Sequence, residues 1–158
     1  MNSSFRSIQI LIDLLKQNGI KDIVLSPGGS DIPLIHSVET DKFFKCYSVV
    51  DERSAAYFAM GVAQQKCRPV ACICTSGTAV CNYLPGITEA FYQNAPVLAI
   101  TADKNPYYQG QLEIQKIEQS NIFNGVIRKS VELPIVDSSE DEWLCNRLVN
   151  EALIALTH

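Results

Sequence analysis

A chain of 158 residues, 47% hydrophobic and 19% charged, has enough apolar material to close one core, so a single globular domain over residues 1–158 is expected. A formal net charge of -4, with no more than two basic residues adjacent, gives no electrostatic footprint for nucleic acid. No stretch nears the roughly 18 uninterrupted apolar residues of a membrane span, and residues 1–9 hold one arginine and no apolar leader segment, so the chain reads as cytoplasmic.

Ser3 or Ser4 can cap a first helix whose apolar positions Phe5, Ile8, Leu11, Ile12 and Leu15 recur at three and four residues, and Gly19 ends it. Residues 22–25 form a short strand that runs into Ser26-Pro27-Gly28-Gly29-Ser30-Asp31, a turn-rich stretch leading to a helix around 32–38. Residues 46–50 read as a strand, after which Asp51 caps a helix over 52–65. The run 70–74 is continuously apolar, the pattern of a parallel strand covered on both faces, and it stops at Thr75-Ser76-Gly77-Thr78. A helix to about residue 93 follows, which Pro85 should kink or split. Residues 97–101 are another buried strand and 102–110 a polar loop. A helix near 114–123, a strand within 126–136 and a last helix capped by Ser138 or Ser139 complete the pattern.

Strand alternating with helix, without repeat or linker, specifies an open parallel α/β sheet flanked by helices on both faces. In such sheets the chemistry collects at the carboxyl edge, here the loops 26–31, 51–52, 75–78 and 101–106. Cys46, Cys67, Cys72, Cys74, Cys81 and Cys145 lie in or beside apolar runs and read as free buried thiols, and their spacing fits no zinc site. Glu52 by itself could be an ordinary first-turn glutamate favoured by the helix dipole. Ser76-Gly77-Thr78 could likewise be a plain strand-to-helix turn.

Four segments in order, LSPGGSDIPL, DERSAAYFAMGVAQ, TSGTAVCNYLPGITEAF and PVLAITADKNP, resemble the amino-terminal pyrimidine-binding domain of thiamine-diphosphate-dependent enzymes. Within that superfamily they are most similar to the MenD branch of menaquinone biosynthesis, and more loosely to acetolactate synthase and pyruvate decarboxylase. The resemblance implies that Glu52 is the catalytic glutamate. It would hydrogen-bond a ring nitrogen of the cofactor's aminopyrimidine, so that the exocyclic nitrogen can take the thiazolium proton. It further implies that Pro27, Gly28, Ser76, Gly77 and Thr78 border the cofactor, and that Gly29, Ser30, Lys104 and Gln115 lie near substrate. Gln119 aligns with a second glutamine of the branch, and Tyr107, Tyr108 and Phe123 could wall a pocket or simply pack.

The magnesium ion that holds the cofactor's diphosphate belongs, in the resembled enzymes, to a second domain carrying a G-D-G motif, which this sequence lacks. The expected partner is therefore a diphosphate-binding domain in the same or another chain, within a homodimer or larger assembly acting on a 2-oxo acid. The chain reads as a fragment of a longer enzyme, inert and weakly cofactor-binding by itself. The alternatives are the small subunit of a split 2-oxo acid decarboxylase, or a noncatalytic dimerisation or regulatory module. The branch also carries S-P-G-S-R-S at the first loop and T-A-D-R-P-P at a later one. Ser30 replaces the first arginine and Lys104 the second, so a different or less anionic acceptor is expected.

Overall fold

The apolar runs that begin at residues 22, 70 and 97 become strands of one parallel sheet. In the computed structural model, which describes residues 4–157, α1 (Arg6–Gln17) leads to β1 (Asp22–Ser26), and α2 (Ile32–Thr40) to β2 (Lys45–Ser48). α3 (Glu52–Lys66) then leads to β3 (Val70–Cys74), α4 (Thr78–Tyr92) to β4 (Val97–Thr101), and α5 (Ser139–Thr157) is the last element. The strands lie in the order β2-β1-β3-β4, all parallel, with Leu25 between Ser48 and Ile73 and with Cys74 beside Thr101. β1 and β3 are buried along their whole length, as their unbroken apolar character requires, whereas β2 and β4 are edges.

α1, α2 and α5 cover one face around Leu15, Ile23, Leu25, Val38 and Ile73. α3 and α4 cover the other around Val24, Ala59, Cys72 and Tyr83. From β1 the chain steps outward to β2 through α2, then returns over the opposite face through α3 to reach β3. The winding direction therefore reverses between β1 and β3, and the carboxyl ends of these two strands frame the crevice of the sheet.

At the opposite end of the sheet, Asp22 is inaccessible to water just beneath the surface. Lys66 Nζ lies 2.5 Å and Arg68 Nη2 2.6 Å from its carboxyl oxygens, and Tyr47 donates to it at 2.9 Å. Burial pushes the carboxyl up, but the hydrogen bonds from Lys66, Arg68 and Tyr47 outweigh it and hold Asp22 below the ordinary range.

Several sequence expectations need correction. α1 starts after Phe5, whose extended backbone precedes the helix without any side-chain cap, so Ser4 does not cap it; Ser3 lies outside the described residues. Pro85 does not divide α4, which runs unbroken from Thr78 to Tyr92. No helix forms over 114–123, because left-handed backbone at Leu112, Gln115 and Asn121 interrupts any helical run. No strand forms within 126–136. Val126 and Ile127 pack on the α3/α4 face while Leu133 and Val136 pack on the other, so the segment divides its apolar side chains between the two faces instead of adding a strand. Pro134, having no N–H, could not have sustained a ladder. The cysteines are free, with Cys72, Cys74 and Cys145 buried, but Cys67 and Cys81 are exposed. The cap on α5 is as expected: Ser138 Oγ accepts from the Asp141 N–H at 3.1 Å.

Candidate active site

The loops that leave β1 and β3 are tied to one another across the crevice. Ser30 N donates to Thr75 Oγ1 at 3.1 Å, and the hydroxyls of Ser30 and Ser76 are 3.1 Å apart. A Cβ on Gly28 would fall 2.5 Å from the Thr75 side chain, so this approach requires glycine. Gly28 N donates to Asp31 Oδ1 at 2.8 Å, which closes the first loop on itself, and Ser26 Oγ donates to the Val49 carbonyl at 2.8 Å, which fastens β1 to the segment entering α3.

Asp51 caps α3 by accepting from Ser54 N at 2.8 Å, and this places Glu52 in the first turn, half-buried at the rim of the crevice. Asn82 Nδ2, on α4, donates to Glu52 Oε2 at 3.1 Å. Among the described residues no donor reaches the other carboxyl oxygen. The carboxylate's charge raises the proton affinity of both Asp31 and Cys74, though less than burial does.

Beneath it lies a buried floor built by the period of two along the strands: Val24 and Ser26 on β1, with Cys72 and Cys74 on β3, turn toward α3 and α4. Tyr83 of α4 fills the space, its phenol facing both thiols and Ser26 without closing a hydrogen bond. Burial pushes the Cys72 thiol up to about 12 and the Cys74 thiol and Tyr83 phenol higher still, so all three are neutral. This floor can shape a pocket but supplies no nucleophile.

Gly77 N donates to Gln119 Oε1 at 2.8 Å, and Gln119 Nε2 donates to the Ala102 carbonyl at 3.0 Å, so one side chain straps the 102–125 loop onto the end of β3. A Cβ on Gly77 would fall 2.9 Å from Gln115 Cα and Gln115 O, and the residue has φ 80°. The neighbour that demands glycine there is thus this chain's own loop. Lys104 Nζ sits 2.6 Å from Glu113 and 2.5 Å from the Ile114 carbonyl, so its charge is spent inside that loop.

Of the residues singled out in the sequence, Glu52, Gly28, Ser30, Ser76 and Gly77 gather at the β1/β3 crevice. Gln115 reaches Gly77 through its backbone, with its side chain exposed. Pro27, Gly29 and Thr78 sit exposed on the rim. Tyr107 and Tyr108 are exposed, whereas Phe123 belongs to the α3/α4 core. Sequence reading missed Asn82 and Tyr83. The available signal was their place on one turn of a helix that begins at a crevice loop, but an exposed asparagine and a buried tyrosine are common enough in helices to pass unnoticed.

The crevice thus brings together a half-buried carboxyl, a neutral floor and small serine and glycine residues. Among the described residues no three His, Cys, Asp or Glu side chains converge as a metal site.

Residues 6–122 match the family described as thiamine pyrophosphate enzyme, N-terminal TPP binding domain. The 2-succinyl-5-enolpyruvyl-6-hydroxy-3-cyclohexene-1-carboxylate synthase of Bacteroides thetaiotaomicron is 45% identical over 158 residues, which is 100% of this chain and 28% of that protein. The synthase of the same name from Phocaeicola vulgatus is 44% identical with the same coverage. This chain thus spans little more than a quarter of these relatives' length. Among solved structures, the thiamine diphosphate-dependent 4-hydroxybenzoylformate decarboxylase of Rhodococcus jostii RHA1 superposes with a TM-score of 0.78 at 16% identity, over 93% of this chain and 27% of that one. The benzoylformate decarboxylase of Polynucleobacter necessarius gives 0.70 at 19% identity, over 83% and 24%. At such identities the likeness is one of fold, while the sequence match over 117 of 158 residues assigns the family: the chain belongs to the N-terminal TPP-binding domains of thiamine pyrophosphate enzymes.

Proposed function

We propose that this chain is the pyrimidine-binding, cofactor-activating part of a MenD-type enzyme that decarboxylates a 2-oxo acid and joins the product to an acceptor. The observation that carries the reading is Glu52, held by the α3 cap and by Asn82 so that one carboxyl oxygen remains free at the crevice. Thiamine diphosphate, when bound, supplies the carbon nucleophile and electron sink that 2-oxo acid chemistry requires. Glu52 would hold a proton between its free oxygen and the ring nitrogen of the pyrimidine. Asn82 fixes the carboxyl's rotation, and the neutral floor of Cys72, Cys74 and Tyr83 keeps competing charge out. Pro27, Gly28, Ser76, Gly77 and Thr78 form the surrounding edge. Magnesium and the diphosphate would be held by a second domain, in the same chain or a partner.

The substituted first loop bears on the acceptor. Ser30 is occupied by Thr75 and Ser76, Asp31 brings a carboxyl, and Lys104 is committed to Glu113, so Gly29, Ser30, Lys104 and Gln115 offer no guanidinium fork to an anionic substrate. Losing one charge-assisted contact weakens affinity by roughly one to two orders of magnitude. The complete protein, assayed with thiamine diphosphate, magnesium, 2-oxoglutarate and isochorismate, should decarboxylate a 2-oxo acid yet turn that pair over poorly. Efficient turnover of the pair would show that the loop argument is wrong, and no thiamine-dependent decarboxylation of any 2-oxo acid would remove the reading altogether.

A homodimer or larger assembly belongs to the same proposal. Val50, Tyr57, Leu84 and Tyr92 are exposed on and beside α3 and α4, more apolar surface than helices facing only water need to carry. Leu84→Lys should lower the sedimentation-derived mass of the assembly, and a wild-type chain that stays strictly monomeric at high concentration would contradict the association.

A further inference from the structure

Asp31 is the one buried carboxyl at this edge of the sheet that the function so far leaves unused. Only 1% of the residue is accessible to water. It stands at the start of α2, where an aspartate ordinarily caps the helix, yet it makes no side-chain cap and turns back instead to accept the Gly28 N–H through Oδ1. Its second oxygen, Oδ2, is buried and has no hydrogen-bond partner. Among the described residues no cation pairs with it.

The surrounding elements explain why none does. From α3 the charge that acts on it is the Glu52 carboxylate, and from β3 its titratable neighbour is the Cys74 thiol, itself neutral. On α1, Lys16 is committed to Asp41 at the far end of α2, and on β2 Tyr47 is committed to Asp22 at the far end of the sheet. His36 and Glu39, on α2 itself, are exposed on its outer face. A buried carboxylate with an unpaired oxygen and only another carboxylate for company is an expensive arrangement, whereas a carboxylic acid in the same place is tolerable.

We propose that Asp31 carries a proton in the folded chain, and so keeps a second negative charge away from the crevice that Glu52 borders. Burial, seconded by the charge of Glu52, raises the proton affinity of Asp31, in keeping with that arrangement. The consequence for cofactor activation rests on the role proposed for Glu52, but the proton on Asp31 is a property of the chain without cofactor.

Carbon-detected NMR of the side-chain carboxyls in the cofactor-free 158-residue chain reads the arrangement directly. Asp31 should titrate above the solution value of about 3.9, and in Glu52→Gln its midpoint should fall, since the neighbouring charge is gone. An Asp31 that titrates at or below the ordinary value, or whose midpoint is unmoved by Glu52→Gln, overturns the proposal. A second readout uses Asp31→Asn, which keeps an oxygen for Gly28. Because the folded chain keeps the Asp31 proton to higher pH than the unfolded chain does, wild-type stability should fall as pH rises from about 4 through the raised midpoint. The melting temperature of Asp31→Asn relative to wild type should therefore climb across that window and level off above it. A difference that is the same at every pH would mean that Asp31 only ties the loop, and would likewise overturn the proposal. If thiazolium-proton exchange in the complete protein proved indifferent to Glu52→Gln, the role of Glu52 would fail while these titrations stood unaffected.

Discussion

Gly86 sets how closely α4 can lie on α3, and Gly86→Ala tests whether that spacing matters. A Cβ at this position would fall 2.5 Å from the Ala56 Cβ and 3.0 Å from the Ala56 carbonyl carbon and the Tyr57 nitrogen. Carbon atoms rest at about 3.5–4.0 Å, so the helices must part by roughly 1 Å, and the obstacle is backbone, which cannot rotate away. Overpacking of this kind costs about 1–3 kcal/mol, while alanine recovers about 1 kcal/mol of helix propensity over glycine. A net loss of up to about 2 kcal/mol is expected, or a melting point lower by up to roughly 8 °C for a domain of this size. Gly86→Val, which adds bulk and β-branching with less gain in propensity, should lose more. Asn82 lies one turn from Gly86 on α4, so separation of the helices also stretches its hydrogen bond to Glu52. Urea unfolding followed by circular dichroism gives the free energies. A Gly86→Ala chain more stable than wild type, or a Gly86→Val chain no less stable than Gly86→Ala, would refute the reasoning, because α3 and α4 would then have slack at their crossing.

Asp22→Asn should cost roughly 1–3 kcal/mol at pH 7, since it strands Lys66 and Arg68 beside a buried neutral group, with partial exposure of both cations softening the loss. Because the folded pKa of Asp22 is depressed, its contribution is present above about pH 4 and is lost as pH falls through the folded value, so the acid side of the wild-type stability profile should be steeper than that of Asp22→Asn. Parallel profiles would contradict this. Gly77→Ala should loosen the 102–125 loop, because both its φ of 80° and the approach of Gln115 oppose a side chain. Faster amide exchange across residues 111–121 with little change around β1 is the expected signature, and unchanged exchange would show that the loop is held elsewhere.

The sheet was legible in the sequence where the run is continuously apolar: residues 70–74, buried throughout, and 97–101, only half-buried at the sheet edge and not the buried strand expected, coincide with β3 and β4. The α3 boundary was legible because Asp51 caps through a local hydrogen bond, which sequence spacing records. The region after residue 101 was misread because its order comes from contacts made at a distance. Gln119 is fixed by Gly77 and Ala102, and the 126–136 segment divides its apolar side chains between two cores. Neither fact has a periodic signature. In the site, Glu52 was legible through the motif around it, but its partner Asn82 is thirty residues away and meets it through the α3/α4 crossing that Gly86 permits.

The central claim is that Glu52 activates thiamine diphosphate, and hydrogen–deuterium exchange of the cofactor's thiazolium proton in the complete protein tests it most directly. Glu52→Gln keeps the size of the side chain and the Asn82 contact but removes the shared proton, so exchange should slow by about 10²–10⁴-fold, with cofactor affinity changed far less. Exchange as fast as in the wild-type protein, with cofactor demonstrably bound, would contradict the account.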